Sequence, residues 1–161
     1  DLKKGLNQDY YITGREWPYK DIPRKIICEK YMTDYNQDCL TDYKFYCFNG
    51  NVDSVMLCID RNTGSPKFYF FDKEWNLKRY NIMGKNAPKD FFLPKPEGMD
   101  EMFKIAEQLS KGHAFLRVDL YYANNQIYFG ETTFFPQSGF DPNRLPETDI
   151  YFGNKIDLNL V

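Results

Sequence analysis

Two runs of aromatic and β-branched residues, Tyr43–Phe48 and Val52–Ile59, meet at Asn49-Gly50. Both residues of that dipeptide accept positive φ at little cost, so the segment reads as a tight β-hairpin. A hairpin with two apolar strands must be widened into a sheet and covered before it is stable in water. The rest of the chain supplies the means. Lys67–Phe71 and Leu77–Ile82 read as two strands around a turn, and Ala114–Tyr122 and Ile127–Phe135 as two longer ones. Ile26–Tyr31 reads as a further short strand. Met99, Met102, Phe103, Ala106 and Leu109 recur at helical spacing, with Asp100 and Glu101 in the first turn and Gly112 as the stop. Residues 84–97, with Gly84, Pro88, Pro94 and Pro96, read as a loop, and the tail from Gln137 as loop-rich, broken by Pro142 and Pro146. The expected fold class is α+β, a mostly antiparallel sheet with a few helices. Residues 26–161 form the expected domain, and residues 1–25 a connector.

Composition agrees and narrows the function. Aromatic residues make up 18% of the 161, which favours sheet over helix. No apolar run approaches the roughly 20 residues of a membrane helix, so the chain is not expected to be transmembrane. A formal net charge of −2 offers no electrostatic case for nucleic acid. The four cysteines, Cys28, Cys39, Cys47 and Cys58, show no CxxC spacing and read as reduced, partly buried thiols of a cytoplasmic protein. With His113 as the one histidine, zinc binding and Ser-His-Asp or Cys-His catalysis are disfavoured. Chemistry must then run on carboxylates, cations and a bound metal.

Alternation places Arg117, Asp119 and Tyr121 on one strand face, and Phe129, Glu131 and Thr133 on one face of the next strand. A three-residue loop, Asn124-Asn125-Gln126, would pair Ala123 with Ile127, set Asp119 opposite Glu131, and set Arg117 opposite Thr133. Opposed carboxylates repel. Three arrangements relieve this: a Mg²⁺ ion held by oxygens, a solvated face, or Arg117 neutralising both. Asp42 and Lys44 share a face in the same way, two residues apart on their strand.

In order, Ile26 to Met32, Asp42-Tyr43-Lys44, Arg117-Val118-Asp119-Leu120, and Glu131-Thr132-Thr133 with Pro136 and Gly139 resemble the C-terminal half of an ATP-grasp ligase. Gly14-Arg15-Glu16-Trp17-Pro18-Tyr19-Lys20, Asp42 to Gly50 and Phe129 to Pro136 more closely resemble the TupA-like ATP-grasp family. The resemblance covers about residues 10–155. It implies the C-terminal portion of the ATP-grasp fold, ATP and Mg as cofactors, and a role in teichuronopeptide, capsular or other bacterial surface-polysaccharide biosynthesis. Glu29, Lys30, Tyr31 and Met32 fall at the adenine hinge, and Asp42 where an acidic residue holds the ribose hydroxyls. Lys44 would point at the phosphates, and Arg117 would stabilise charge on the transferred group. Asp119 and Glu131 fall on the magnesium ligands. Thr133 stands where many members carry Asn. Gly139 lies near a backbone N–H offered to substrate.

The implied reaction is Mg-ATP-dependent joining of a carboxylate to an amine, possible substrates being groups linked to a polysaccharide. The family's N-terminal lobe, with its phosphate-gripping lysine and Gly-rich loop, has no counterpart in the sequence. The chain is therefore expected to be one lobe of a two-lobed site, inactive alone. Two other functions remain open at this point: a non-catalytic carbohydrate- or partner-binding module, and a polysaccharide-biosynthesis protein of the glycosyltransferase kind.

Overall fold

The computed structural model describes residues 2–35 and 40–160; Cys39 lies outside them. The chain divides into two compact units, Asp1–Tyr31 with Phe134–Asp141, and Met32–Thr133 with Pro142–Val161.

The smaller unit is built of short pieces. Helices α1 (Leu2–Gly5) and α2 (Tyr10–Gly14) each end on glycine, and Pro18 sits in a single 3-10 turn, Trp17–Tyr19. Arg15 takes a left-handed conformation and closes α2 by donating its N–H to the Tyr11 carbonyl. Arg24 ties the segment together through the Leu6 carbonyl and the Asp9 carboxylate. The strand expected over Ile26–Tyr31 does not form. Those residues are exposed, Ile27 at 78%, and no neighbouring strand pairs with them. Strand composition alone leaves the backbone groups in water unless an edge accepts them. Cys28 is accordingly exposed, whereas Cys47 and Cys58 are buried thiols.

The larger unit is a six-stranded antiparallel sheet in the order β4-β3-β2-β1-β5-β6. Its strands are β1 (Asp42–Phe48), β2 (Asn51–Ile59), β3 (Lys67–Phe71), β4 (Leu77–Lys78), β5 (Phe115–Ala123) and β6 (Gln126–Thr133). The Asn49-Gly50 hairpin forms as expected, with φ of 52° and 78°. The strand expected over Leu77–Ile82 stops at Lys78, because Asn81 caps a short helix, α3 (Ile82–Asn86), by accepting the Gly84 N–H at 2.8 Å. Arg79 NH1 then donates to the C-terminal carbonyls of that helix, Gly84 at 2.7 Å and Lys85 at 3.0 Å. Part of the expected loop 84–97 is therefore helix.

The two faces of the sheet bury different things. On one, Tyr43, Phe45, Cys47, Val55, Leu116 and Val118 pack under α4 (Met99–Ser110), with Phe45 edge-on to Phe103 at 5.2 Å. Met99, Met102, Phe103 and Ala106 are fully buried, as their spacing predicts. Leu109 is 42% exposed, and Ser110 is buried at 1% in its place. At about 100° per residue Ser110 returns to the azimuth of Met99, while Leu109 falls about 80° to one side. On the other face an aromatic cluster, Tyr46, Phe48, Phe70 and Phe152, fills one end. Phe152 belongs to α5 (Pro146–Gly153), a helix where loop was expected. Pro146 does not break it, because it occupies the first turn, where no N–H is missed. Asp53, bulged out of the β1–β2 pairing, holds α5 by accepting from Tyr151 at 2.7 Å and pairing with Lys155 at 2.9 Å. Among the described residues no helix is long and apolar enough to cross a membrane.

The β5–β6 hairpin departs from expectation twice, and the departures cancel. Its loop has two residues, Asn124 and Asn125, both left-handed, and Ala123 pairs with Gln126. Leu120 pairs with Phe129, so Phe129 and Glu131 do not share a face as expected. Gly130 is skipped, and Asp119 meets Glu131 with Arg117 opposite Thr133. A Cβ on Gly130 would lie 2.9 Å from the Tyr121 ring and 3.0 Å from the Asp119 carbonyl oxygen. Gly130→Ala should therefore destabilise the protein by about 1–3 kcal/mol, read as a lower urea midpoint at unchanged slope.

Candidate functional site

The charged end of the sheet face that carries the aromatic cluster is a row of alternating charges. Asp42 and Lys44 on β1 lie in register with Tyr121 and Asp119 on β5, which puts all four on one face. Lys44 Nζ pairs with Asp42 Oδ2 at 2.7 Å and with Asp119 Oδ2. Arg117 grips Asp119 through two hydrogen bonds, Nε to Oδ1 and NH2 to Oδ2, both at 2.7 Å. Its NH2 also reaches Glu131 Oε1 at 2.9 Å. At the other end Arg61 stands 3.7 Å from Asp42 Oδ2. Arg61, Asp42, Lys44, Asp119, Arg117 and Glu131 thus alternate in sign across strands β1, β5 and β6 and the turn after β2.

Burial grades along this row. Asp119 is 1% exposed, and Asp42 and Arg117 are buried, while the Glu131 side chain is 64% exposed. Burial pushes the Lys44 ammonium toward deprotonation, but the Asp119 and Asp42 carboxylates outweigh it and hold its pKa above 10.5. Arg117 is raised for the same reason, its burial overcome by Asp119. Asp42 Oδ1 is buried with no hydrogen-bond partner. An acceptor left unpaired in such a place costs on the order of 1–3 kcal/mol, and a hydroxyl donor would recover it.

The structure brings together Asp42, Lys44, Arg117, Asp119, Glu131 and Thr133, which lies opposite Arg117. Glu29, Lys30 and Tyr31 are exposed residues of the smaller unit, and Met32 opens the larger one. Gly139 belongs to the smaller unit, with φ of 83° and open space where a Cβ would stand. Between Asp119 and Glu131 stands the Arg117 guanidinium, one of the three arrangements the sequence left open. Among the described residues no group of three or more His, Cys, Asp or Glu gathers to hold a metal. Asp119 and Glu131 present carboxylate oxygens of the kind Mg²⁺ takes, with the Arg117 guanidinium bonded to both.

Sequence reasoning missed two participants. Arg61 lies in a turn between two left-handed residues, Asp60 and Gly64, and nothing in strand alternation points it at Asp42. Asn124, at the tip of the β5–β6 hairpin, holds the segment just after Met32: its amide donates to the Thr33 carbonyl at 2.9 Å and accepts the Tyr35 N–H at 3.2 Å. The Asn-Asn turn was a signal for the hairpin but not for this second duty.

Because Asp119 is matched by a buried Arg117 and a partly buried Lys44, its removal exposes an imbalance. Asp119→Asn should destabilise the fold by about 3–5 kcal/mol, contrary to the slight gain that relief of a bare carboxylate pair would give. Glu131→Gln, at the wet end, should change stability by no more than about 1 kcal/mol. Urea titrations of the two variants check the contrast. The Lys44 contribution should be complete below about pH 10.5. It should be lost as pH rises through the higher folded-state value, which unfolding titrations of wild type and Lys44→Met can separate.

No solved structure and no protein of curated function matches the chain. A family model described as TupA-like ATPgrasp matches residues 1–157. The protein, which carries this charge row across β1, β5 and β6 and the turn after β2, belongs to the TupA-like ATP-grasp family.

Proposed function

We propose that the protein takes part in Mg-ATP-dependent ligation of a carboxylate to an amine, in the cytoplasm, within bacterial surface-polysaccharide biosynthesis. The observation that carries this reading is the buried charge row with its unpartnered Asp42 Oδ1. A nucleotide offers what such a row lacks: ribose hydroxyls to donate to Asp42, and phosphates to draw Lys44 and Arg117 away from their carboxylates. Asp119 and Glu131, with Thr133 beside them, would hold the magnesium ion, which when bound offsets phosphate charge. Lys44 and Arg117 would orient the phosphates and stabilise charge on the transferred group. Glu29 to Met32 would serve the adenine edge, and Gly139 the substrate. The carboxylate and amine are proposed to be uronic-acid or amino-acid groups of a surface polymer.

A second reading has its own support. In the described state both oxygens of Asp119 are taken by cations of the chain itself, which suits a binding module whose charge row is purely structural. Calorimetry separates the two. With Mg²⁺ and a non-hydrolysable ATP analogue, and with the second lobe that the ATP-grasp resemblance implies supplied, the ligase reading expects saturable binding. Lys44→Ala should weaken that binding by about 1.5–3 kcal/mol and leave adenosine binding nearly unchanged. Absence of nucleotide binding, or equal losses for both ligands, would favour the structural reading.

A further inference from the structure

One carboxylate has no place in the row. Glu16 lies in the Gly14–Lys20 segment, and the residue is 6% exposed. Its one side-chain partner among the described residues is the Ser138 hydroxyl, which donates to Oε1 at 2.9 Å. No cation is within ion-pair distance of it among those residues. A buried carboxylate is ordinarily paired with a cation or bound to a metal, because taking it out of water uncompensated is costly. Glu16 has one neutral donor.

The surroundings are built to keep that arrangement. Two sequence segments more than a hundred residues apart meet here: the Tyr19 hydroxyl accepts the Phe134 N–H at 2.9 Å, and their rings lie 6.2 Å apart. Gly14 allows the approach, since a Cβ there would sit 2.4 Å from Ser138 Oγ and 2.9 Å from Glu16 Oε1. Gln137, Ser138 and Gly139 are left-handed in succession, with φ of 52°, 54° and 83°. Such backbone is unfavourable for Gln and Ser and persists only where the surroundings enforce it. Beside the pair, the space at Gly139 is open.

We infer that Glu16, steadied by Ser138, is the recognition point for a primary ammonium group, the open side of Gly139 leaving room for its carbon chain. An ammonium brings the positive charge that Glu16 lacks and N–H donors for its oxygens. The inference rests on the ligase reading only in naming this ligand the amine substrate; the binding itself is independent of nucleotide.

The test titrates the 161-residue chain with ethylammonium chloride, using tetramethylammonium, which has no N–H, as control. Changes in the Trp17 and Gly139 amide resonances report binding. Wild type should show a saturable response to ethylammonium alone. Glu16→Gln should weaken it at least tenfold and Ser138→Ala by a smaller factor. The melting temperature of Glu16→Gln should be unchanged or raised, since it removes a buried charge with no cation. The inference is overturned if wild type shows no saturable response, if Glu16→Gln responds like wild type, or if Glu16→Gln melts more than about 4 °C lower, which would mark Glu16 as structural. Binding of the ATP analogue in the presence of the second lobe separates the two proposals: its absence there with the ammonium response intact removes the ligase reading alone.

Discussion

Asp119 is the residue around which the larger unit is arranged. It lies on the strand between β1 and β6, almost wholly out of water, and a carboxylate there is tolerable only because Lys44 and Arg117 meet it from the same face. Arg117 is itself buried and Lys44 partly so, and both need Asp119 as much as it needs them. The surrounding fold supplies what the trio cannot. β1 and β5 are anchored on their reverse faces by Phe45 and Val118 under α4. Farther along the charged face the aromatic cluster under Phe152 closes off water. The polar end of the sheet is therefore rigidly backed, and the charges cannot relax by moving the strands.

Placement of Glu131 beside this trio depends on a compensation between two local features. A two-residue turn by itself would send Glu131 to the α4 face, because side chains alternate with period two. The skipped Gly130, the fifth residue after the turn, restores the phase. The glycine is needed for steric room, not for an unusual φ: the Tyr121 ring and the Asp119 backbone leave no space for a side chain. A bulge next to a charged cluster, re-aiming a single side chain, is a common use of such irregularities.

This pairing also shows what could be read from the chain and what could not. The Asn49-Gly50 hairpin, the strand Lys67–Phe71 and the α4 stripe were legible because turn chemistry and periodicity are local. The opposition of Asp119 and Glu131 was read correctly through a wrong loop length, since sequence alternation cannot reveal a bulge. Ile26–Tyr31 failed as a strand for want of a sheet edge, which is a tertiary matter. α3 and α5 are hidden in the sequence because Gly84 and Pro146 resemble breakers. One is buried inside a capped turn, and the other begins its helix. Of the charge row, Asp42, Lys44, Arg117, Asp119 and Glu131 followed from strand faces. Arg61 and Asn124 act from turns, where no alternation rule applies. Glu16 stood in a segment noted for its resemblance, but its burial is visible only once Ser138 is folded against it.

The strict alternation of the row has a kinetic consequence. Cation and carboxylate cancel one for one from Arg61 to Glu131, so the fields of neighbours largely offset each other beyond a few ångströms. Such an array attracts a charged ligand only once the ligand is nearly in contact. Long-range steering, which speeds encounter where a cleft carries one sign of charge, is largely absent. Encounter with a polyanion at this face should therefore proceed at an ordinary diffusional rate and respond little to ionic strength. Discrimination would come afterwards, when the ligand exchanges partners with charges that already have them.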